Sequence, residues 1–327
     1  MTENLLTIED LYVQYNTDDA VVHALNGLNL KLRKGESLGL VGETGAGKTT
    51  AALSILKLLP TKVGKITKGQ ITYNGTDIIA ADNKEMREIR GAKIAMIFQD
   101  PMSSLNPILT VGDQISEVLE LHFPDMSKQE RNQKTDEILG LVGIQISRKT
   151  EYPHQFSGGM KQRIGIAMAL VAEPELLLAD EPTTALDVTI QAQILQLMGE
   201  LQQKFNTSMI FITHDLGVVA EYCENVSVVY AGEIIESGSV EEVFIRKKNH
   251  PYTTGLFASI PDLTTNAARL TPIPGSMPNP TDLPDGCKFA ARCQHCMDKC
   301  KTEAPPMFSS TGHKIKCFLF EEMGVEE

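Results

Sequence analysis

Residues Gly42-Glu43-Thr44-Gly45-Ala46-Gly47-Lys48-Thr49, followed by Thr50, decide how this chain is read. Four free positions separate two glycines, and Lys-Thr follows the second, which is the phosphate-binding pattern. The preceding Ser37 to Val41 is apolar enough for a buried strand. The following Lys48 to Leu59 reads as a helix stopped by Pro60. Strand, turn and helix are the context this pattern needs. Glycines let backbone N–H groups converge on phosphate oxygens, and a helix N-terminus adds positive potential. Lys48 is expected to reach the terminal phosphates, and the Thr49 hydroxyl to hold Mg²⁺.

Working outward, the chain of 327 residues has room for one large domain or two smaller ones. A formal net charge of −12 argues against a free-standing nucleic-acid binder. Trp is absent and aromatics make up 6%, which leaves little for base stacking. No apolar run is long enough to span a membrane. Met1 to Asp10 lacks a basic start and a long apolar stretch, so no secretory signal is expected and the chain should stay in the cytoplasm.

Residues 5–35 alternate loosely and read as antiparallel strands, with turns at Gly27 and Gly35. Tyr15 reads as a packing residue or as a stacking partner for an adenine ring. Gly69 to Tyr73 reads as a strand and Asn74-Gly75 as a turn. Lys84 to Arg90 reads as a charged connector. Ile94 to Phe98 is a β-prone run ending at Gln99, which either caps a turn or reaches a metal or its water. Residues 103–172 carry helical periodicity and read as an inserted helical subdomain. The sheet resumes at Leu176-Leu177-Leu178-Ala179-Asp180-Glu181, and Pro182 stops that strand. Val188 to Phe205 reads as a long helix. Met209 to Thr213 reads as a strand delivering His214, and Val226 to Ala231 as the last strand.

Lys48, Thr49, Asp180 and Glu181 together form a nucleoside-triphosphatase set. Phosphoryl transfer needs positive charge on the γ-phosphate, a metal and a positioned water. Asp180 is the Mg²⁺ group, and Glu181, which follows directly, is the general base. His214 is the candidate γ-phosphate sensor.

Phe156-Ser157-Gly158-Gly159-Met160-Lys161-Gln162-Arg163 adds the class. With the residues above, it resembles the ATP-binding subunits of ABC transporters over residues 5–245. The resemblance makes Ser157, Gly158 and Gly159 the signature element, Gln99 the glutamine loop and His214 the switch histidine. It also makes Asp187, in Ala185-Leu186-Asp187, part of the Asp loop, and Tyr15 the adenine-stacking residue. Gly42 to Thr50 would bind ATP, and Thr49, Asp180 and Gln99 would face Mg²⁺. The implied fold is α/β: a P-loop nucleoside triphosphatase of ABC type with a mixed sheet core and an antiparallel β part. It also implies two ATPase subunits facing head to tail around two ATP molecules, with Ser157 and Gly159 on the partner's nucleotide.

From Asn249 the character shifts to an irregular, Pro-rich tail, with Pro272, Pro274, Pro278, Pro280 and Pro284 in a short span. The division expected is an ATPase domain at 1–248 and an extension at 249–327. Of six cysteines, Cys223 stands alone and reads as a buried apolar residue. Cys287, Cys293, Cys296, Cys300 and Cys317 cluster in the tail. Clustering in a cytoplasmic chain suggests a metal site, and spacing leaves zinc and iron–sulfur open. His250-Pro251-Tyr252-Thr253 and Pro272-Ile273-Pro274-Gly275, leading to Gly286-Cys287-Lys288-Phe289, resemble the peptide-importer branch and its D-type ATPases; nickel importers share much of the pattern. That resemblance implies a 4Fe–4S cluster on Cys287, Cys293, Cys300 and Cys317, with Cys296 outside the pattern. It further implies a second related ATPase, two transmembrane permease subunits and an extracytoplasmic peptide-binding protein, with this chain peripheral on the cytoplasmic face. No tail cysteine belongs to the triphosphatase set, so loss of a cluster cysteine such as Cys300 is expected to leave the phosphate loop most of its ATP affinity. Alternatives are nickel import, or a soluble ABC ATPase acting on ribosomes or DNA.

Overall fold

The structure is a computed structural model, described for residues 4–100, 104–184, 186–245, 248–259, 272–310 and 312–325. In chain order its strands and helices are β1 (Asn4–Asn16), β2 (Val21–Arg33), β3 (Ser37–Val41), α1 (Lys48–Ile55), β4 (Gly64–Tyr73), β5 (Thr76–Asp77), α2 (Asn83–Ile89) and β6 (Ile94–Ile97). Then come α3 (Val111–His122), α4 (Lys128–Leu141), α5 (Gly158–Leu170), β7 (Leu176–Asp180), α6 (Val188–Phe205), β8 (Ser208–Thr213), α7 (Leu216–Tyr222) and β9 (Asn225–Tyr230). The last elements are β10 (Glu233–Ser239), α8 (Val240–Ile245), α9 (Pro251–Ala258), α10 (Asp298–Thr302), β11 (Phe308–Ser310) and β12 (His313–Ile315).

The chain divides into two compact units. One comprises Arg33–Ser37 and Ala80–Ile212. Its strands β6, β7 and β8 run parallel, Ile94 opposite Leu176 and Leu176 opposite Ser208. β7 and β8 are buried along their whole length, as parallel strands covered on both faces are. Helices α3, α4 and α5 lie between β6 and β7 in the chain. Helix α3 buries Val111, Ile115 and Leu119 at four-residue spacing, and α4 buries Thr135, Ile138 and Leu139. The stretch read as a charged connector is helix α2. Asp82 accepts from the amides of Lys84 and Glu85, and the Glu85 carboxylate accepts from the Asp82 amide at 2.7 Å. That reciprocal cap outweighs the polarity of the segment.

The other unit comprises Asn4–Leu32, Leu38–Ile79 and Thr213–Glu327. Four strands form a sheet in the order β2-β1-β4-β5, with Leu6 opposite Tyr73 and Ile8 opposite Ile71. Gly27 lies inside β2 and is not a turn between strands. Beside them, β3 pairs in parallel with β9, and β9 pairs antiparallel with β10. The tail does more than the sequence suggested. β12 pairs with β10 and β11 with β12, so the sheet continues past β9 into the tail. Helix α1 is also shorter than expected. It closes when the Leu58 amide donates to the Leu53 carbonyl and Lys57 to Ser54, with Lys57 left-handed at φ 52°, a terminating bond pair that needs no proline.

Candidate functional site

The phosphate loop leaves β3, whose five residues are all buried. Gly42 has φ 156°, and a Cβ there would meet the Val229 carbonyl oxygen at 2.2 Å. Gly47 caps α1 at φ 105°, and its Cβ would meet the Ala24 oxygen at 2.6 Å. Only glycine fits either place. The N-cap Gly47 makes no side-chain cap bond, and a helix start of this kind suits a phosphate anion. Thr44, Gly45 and Thr49 are exposed, Thr50 is half-buried and Ala46 is buried. Lys48 is buried, and its Nζ donates to the carbonyls of Gly42 at 2.7 Å and Glu43 at 3.1 Å. The amine thus lies folded over the loop that it would help to fill.

Tyr15, next to the last residue of β1, lies beside α1, and its hydroxyl is 3.1 Å from the Thr50 hydroxyl. His214 is exposed just past β8. Asp215 behind it caps α7 by accepting from the Gly217 amide at 2.8 Å.

In the other unit, β7 ends with buried Asp180. Glu181 then takes a left-handed φ of 45°, and its amide donates to the Ile212 carbonyl at 2.8 Å. This bend is what turns its carboxylate out of the strand's alternation. Gln99 Nε2 donates to Glu181 Oε2 at 2.8 Å, and Thr184 Oγ1 donates to the same oxygen at 3.0 Å. Gln99 therefore sits on the candidate base itself. Ser157 precedes α5 and is exposed, with no cap bond from its side chain. A Cβ on Gly159 would lie 2.6 Å from Ile190 Cγ2, so the signature helix start packs closely on α6, while Gly158 has ordinary clearance from Leu186. Asp187 caps α6 by accepting from the Ile190 amide at 3.0 Å.

In the tail, Cys287, Cys293, Cys300 and Cys317 line one cavity of about 10 Å³, together with His250, Phe289 and Met297. Cys296 is not in that lining. Burial pushes the Cys317 thiol up to about 12 and Cys287 up to about 11, and the neighbouring cysteines add to both shifts. Four thiols are a donor set that zinc or a cluster accepts, and a bound cation reverses such shifts. The cavity as it stands holds about one water. Among the described residues, no three His, Cys, Asp or Glu side chains are gathered as a metal-holding group. Binding would require the thiols to rearrange.

Sequence reasoning missed four contacts. Gln162, buried on α5, donates to the Pro182 carbonyl at 2.6 Å and so pins the turn that carries Glu181. Thr184 is the second. Tyr252 and Arg292 are the third and fourth, and both reach Glu43 of the phosphate loop. The tail therefore touches the phosphate loop through Tyr252 and Arg292, contacts that the sequence did not announce. Gln162 and Tyr252 stand inside recognised motifs, but nothing in the order of residues marks a bond across 20 positions to Pro182 or across 209 to Glu43.

Residues 25–184 match the ABC transporter family, and residues 235–300 match the oligopeptide/dipeptide transporter C-terminal region. The chain is 50% identical to the oligopeptide transport ATP-binding protein OppD of Bacillus subtilis, covering 96% of this chain and 88% of that one. It is 49% identical to the dipeptide transport ATP-binding protein DppD of the same organism, covering 98% and 96%. A dimeric structure of the ATP-binding cassette MJ0796 bound to ADP and Pi superposes with a TM-score of 0.65 at 28% identity, covering 72% of this chain and 98% of that one.

Proposed function

The chain belongs to the ABC transporter family as an ATP-hydrolysing subunit of the oligopeptide and dipeptide type, and from that premise we propose how its residues divide the work. The fold is that of an ABC-type P-loop nucleoside triphosphatase. One observation carries the peptide reading: a cassette segment and a peptide-transporter tail occur in one chain, each matched to its own family. Membrane permease subunits are the implied partners. No helix among the described residues is long and apolar enough to cross a membrane itself.

In our reading residues 1–248 are the ATPase and 249–327 its extension. Gly42 to Thr50 bind the triphosphate, Lys48 faces its terminal oxygens, and Tyr15 stacks on the adenine. Thr49, Asp180 and Gln99 would hold Mg²⁺, directly or through water, and the exposed hydroxyl and buried carboxylate suit a hard cation. Mg²⁺ would neutralise charge developing between the phosphates. Glu181 takes a proton from the attacking water, and the Gln99 and Thr184 donors hold its carboxylate in place before substrate arrives. His214 contacts the γ-phosphate. Ser157, Gly158 and Gly159 serve the nucleotide of a second, related ATPase, with Asp187 near the same junction. The dimeric likeness supports this arrangement. An extracytoplasmic binding protein delivers the peptide, and this subunit works at the cytoplasmic face of the membrane.

Cys287, Cys293, Cys300 and Cys317 are our candidates for a structural 4Fe–4S cluster. Their place in the lining of one cavity motivates the ligand set, which would have to rearrange to hold a cluster. Iron and labile sulfide measured after anaerobic purification test it: zinc without iron or sulfide overturns the cluster, and loss of iron in Cys296→Ser overturns the ligand choice.

The function is tested in liposomes carrying the permease subunits, both ATPases and a peptide-binding protein. Labelled di- or tripeptides should enter only with ATP on this subunit's side. Uptake of Ni²⁺ with no peptide uptake would refute the reading.

A further inference from the structure

Glu43 is the second residue of the phosphate loop, and all four of its polar atoms are engaged. Its carbonyl accepts from Lys48 Nζ at 3.1 Å and from the Ala46 amide at 3.1 Å. Its amide donates to the Tyr252 hydroxyl at 2.9 Å. Its carboxylate is forked by Arg292, Nη1 to Oε2 at 2.8 Å and Nη2 to Oε1 at 2.9 Å. The two outside partners both come from the tail.

Arg292 is itself fixed before it reaches the loop. Its side chain is 6% exposed, against 29% for Glu43. Nε donates to the Pro274 carbonyl at 2.9 Å, and the guanidinium lies 5.8 Å from the Tyr230 ring centre and 5.9 Å from that of Phe289. Tyr252 is fully buried, with its ring centre 4.6 Å from that of Tyr230 and 5.5 Å from that of Phe289. An arginine needed only for tail stability has no reason to spend its paired donors on this loop.

Charge supplies the reason. A carboxylate in a loop that receives a triphosphate repels its ligand, and the repulsion is strong where water is scarce. A bidentate guanidinium cancels that charge and fixes its direction. We propose that Arg292 and Tyr252 are positioning residues of the phosphate loop. Arg292 neutralises and holds the Glu43 carboxylate, Tyr252 orients the Glu43 amide, and the tail thereby sets the affinity of the loop for ATP. This inference rests on the reading of residues 42–49 as the ATP site.

The experiment measures MgATP affinity of the full-length chain by titration calorimetry for wild type, Arg292→Gln, Glu43→Gln and the double variant, with thermal melting alongside. Arg292→Gln should raise Kd by about fivefold or more, the range of a coupling between sites. In the Glu43→Gln background, where no charge needs cancelling, the same change should cost less than about twofold, the shortfall that marks coupled residues. Arg292→Lys should recover part of the affinity. A lowered Tm with Kd unchanged in Arg292→Gln means a purely structural arginine and overturns the proposal. So does an undiminished cost in the Glu43→Gln background. Should Arg292→Gln fail to fold, Tyr252→Phe decides, since it deletes one hydroxyl and keeps the ring; a Kd equal to wild type overturns the proposal. If wild type binds no MgATP, the ATP reading falls and takes this inference with it.

Discussion

Two turns follow two strands of the same kind. β3 and β7 are each five residues long and wholly buried. In the turn after β3, Gly42 and Gly47 stand where a Cβ would strike a backbone oxygen, because the backbone itself must come close to its neighbours and to a ligand. The turn after β7 puts a glutamate into the left-handed region at φ 45°. There the side chain is the working part, so the backbone carries a strain of about 1–3 kcal/mol. Hydrogen bonds from Gln99 and Thr184 to the carboxylate, and from Gln162 to the next carbonyl, hold that strained turn in place. One turn presents backbone N–H groups and the other presents a carboxylate. The difference explains why one is glycine-rich and the other is not.

The largest expected effect breaks the second turn's chemistry and leaves the first intact. Glu181→Gln should retain ATP binding and lose at least about 10²-fold in turnover, the range for a removed general base. Near-normal turnover in the assembled transporter would remove Glu181 from that role. Next, Gly47→Ala should weaken ATP binding about tenfold or more, because the added Cβ lies 2.6 Å from the Ala24 oxygen at φ 105° and the loop must shift. Wild-type affinity in calorimetry would show that the loop does not depend on this glycine. A subtler substitution separates strain from chemistry. Glu181→Gly should leave the nucleotide-free protein no less stable, and up to about 1 kcal/mol more stable, while abolishing turnover. Clear destabilisation in denaturant titration would mean that the side-chain bonds outweigh the backbone strain.

The smallest effect distinguishes the units by pH. Burial holds His250 well below its usual range, at about 3. Its Nδ1 accepts from the Tyr252 amide at 3.1 Å, which a protonated ring could not do. A folded pKa below the unfolded value near 6.5 means stability that is present above 6.5 and is lost as pH falls toward about 3. The unit holding the tail should therefore soften first on acidification. Amide protection factors across residues 248–258, corrected for the intrinsic exchange rate at each pH, should fall from pH 6 to pH 4 in wild type and change less in His250→Gln. An identical pH profile in that variant would exclude His250 as the cause.

The charged stretch at Lys84 to Arg90 shows how a local signal can still be misread: its capping residues, Asp82 and Glu85, stand in the sequence, but polarity alone suggested a connector. The Pro-rich tail is a different case. Its strands β11 and β12 exist because β10 offers an edge to pair with, and no periodicity over three residues announces that.

What the sequence determined by itself is what short-range sterics and spacing can specify. The glycines of the phosphate loop, the apolar runs of β3, β7 and β8, the carboxylates at Asp180 and Glu181, and the cluster of tail cysteines are all local patterns. Only the tertiary structure decided that Glu181 is left-handed and shares one oxygen between Gln99 and Thr184. It alone decided that Asp187 caps a helix, and that Arg292 and Tyr252 converge on Glu43. The physical reason is that each of these depends on a partner distant along the chain. A bond over 249 positions, such as that between Glu43 and Arg292, leaves no periodic trace in the order of residues and forms only when packing brings its two ends together.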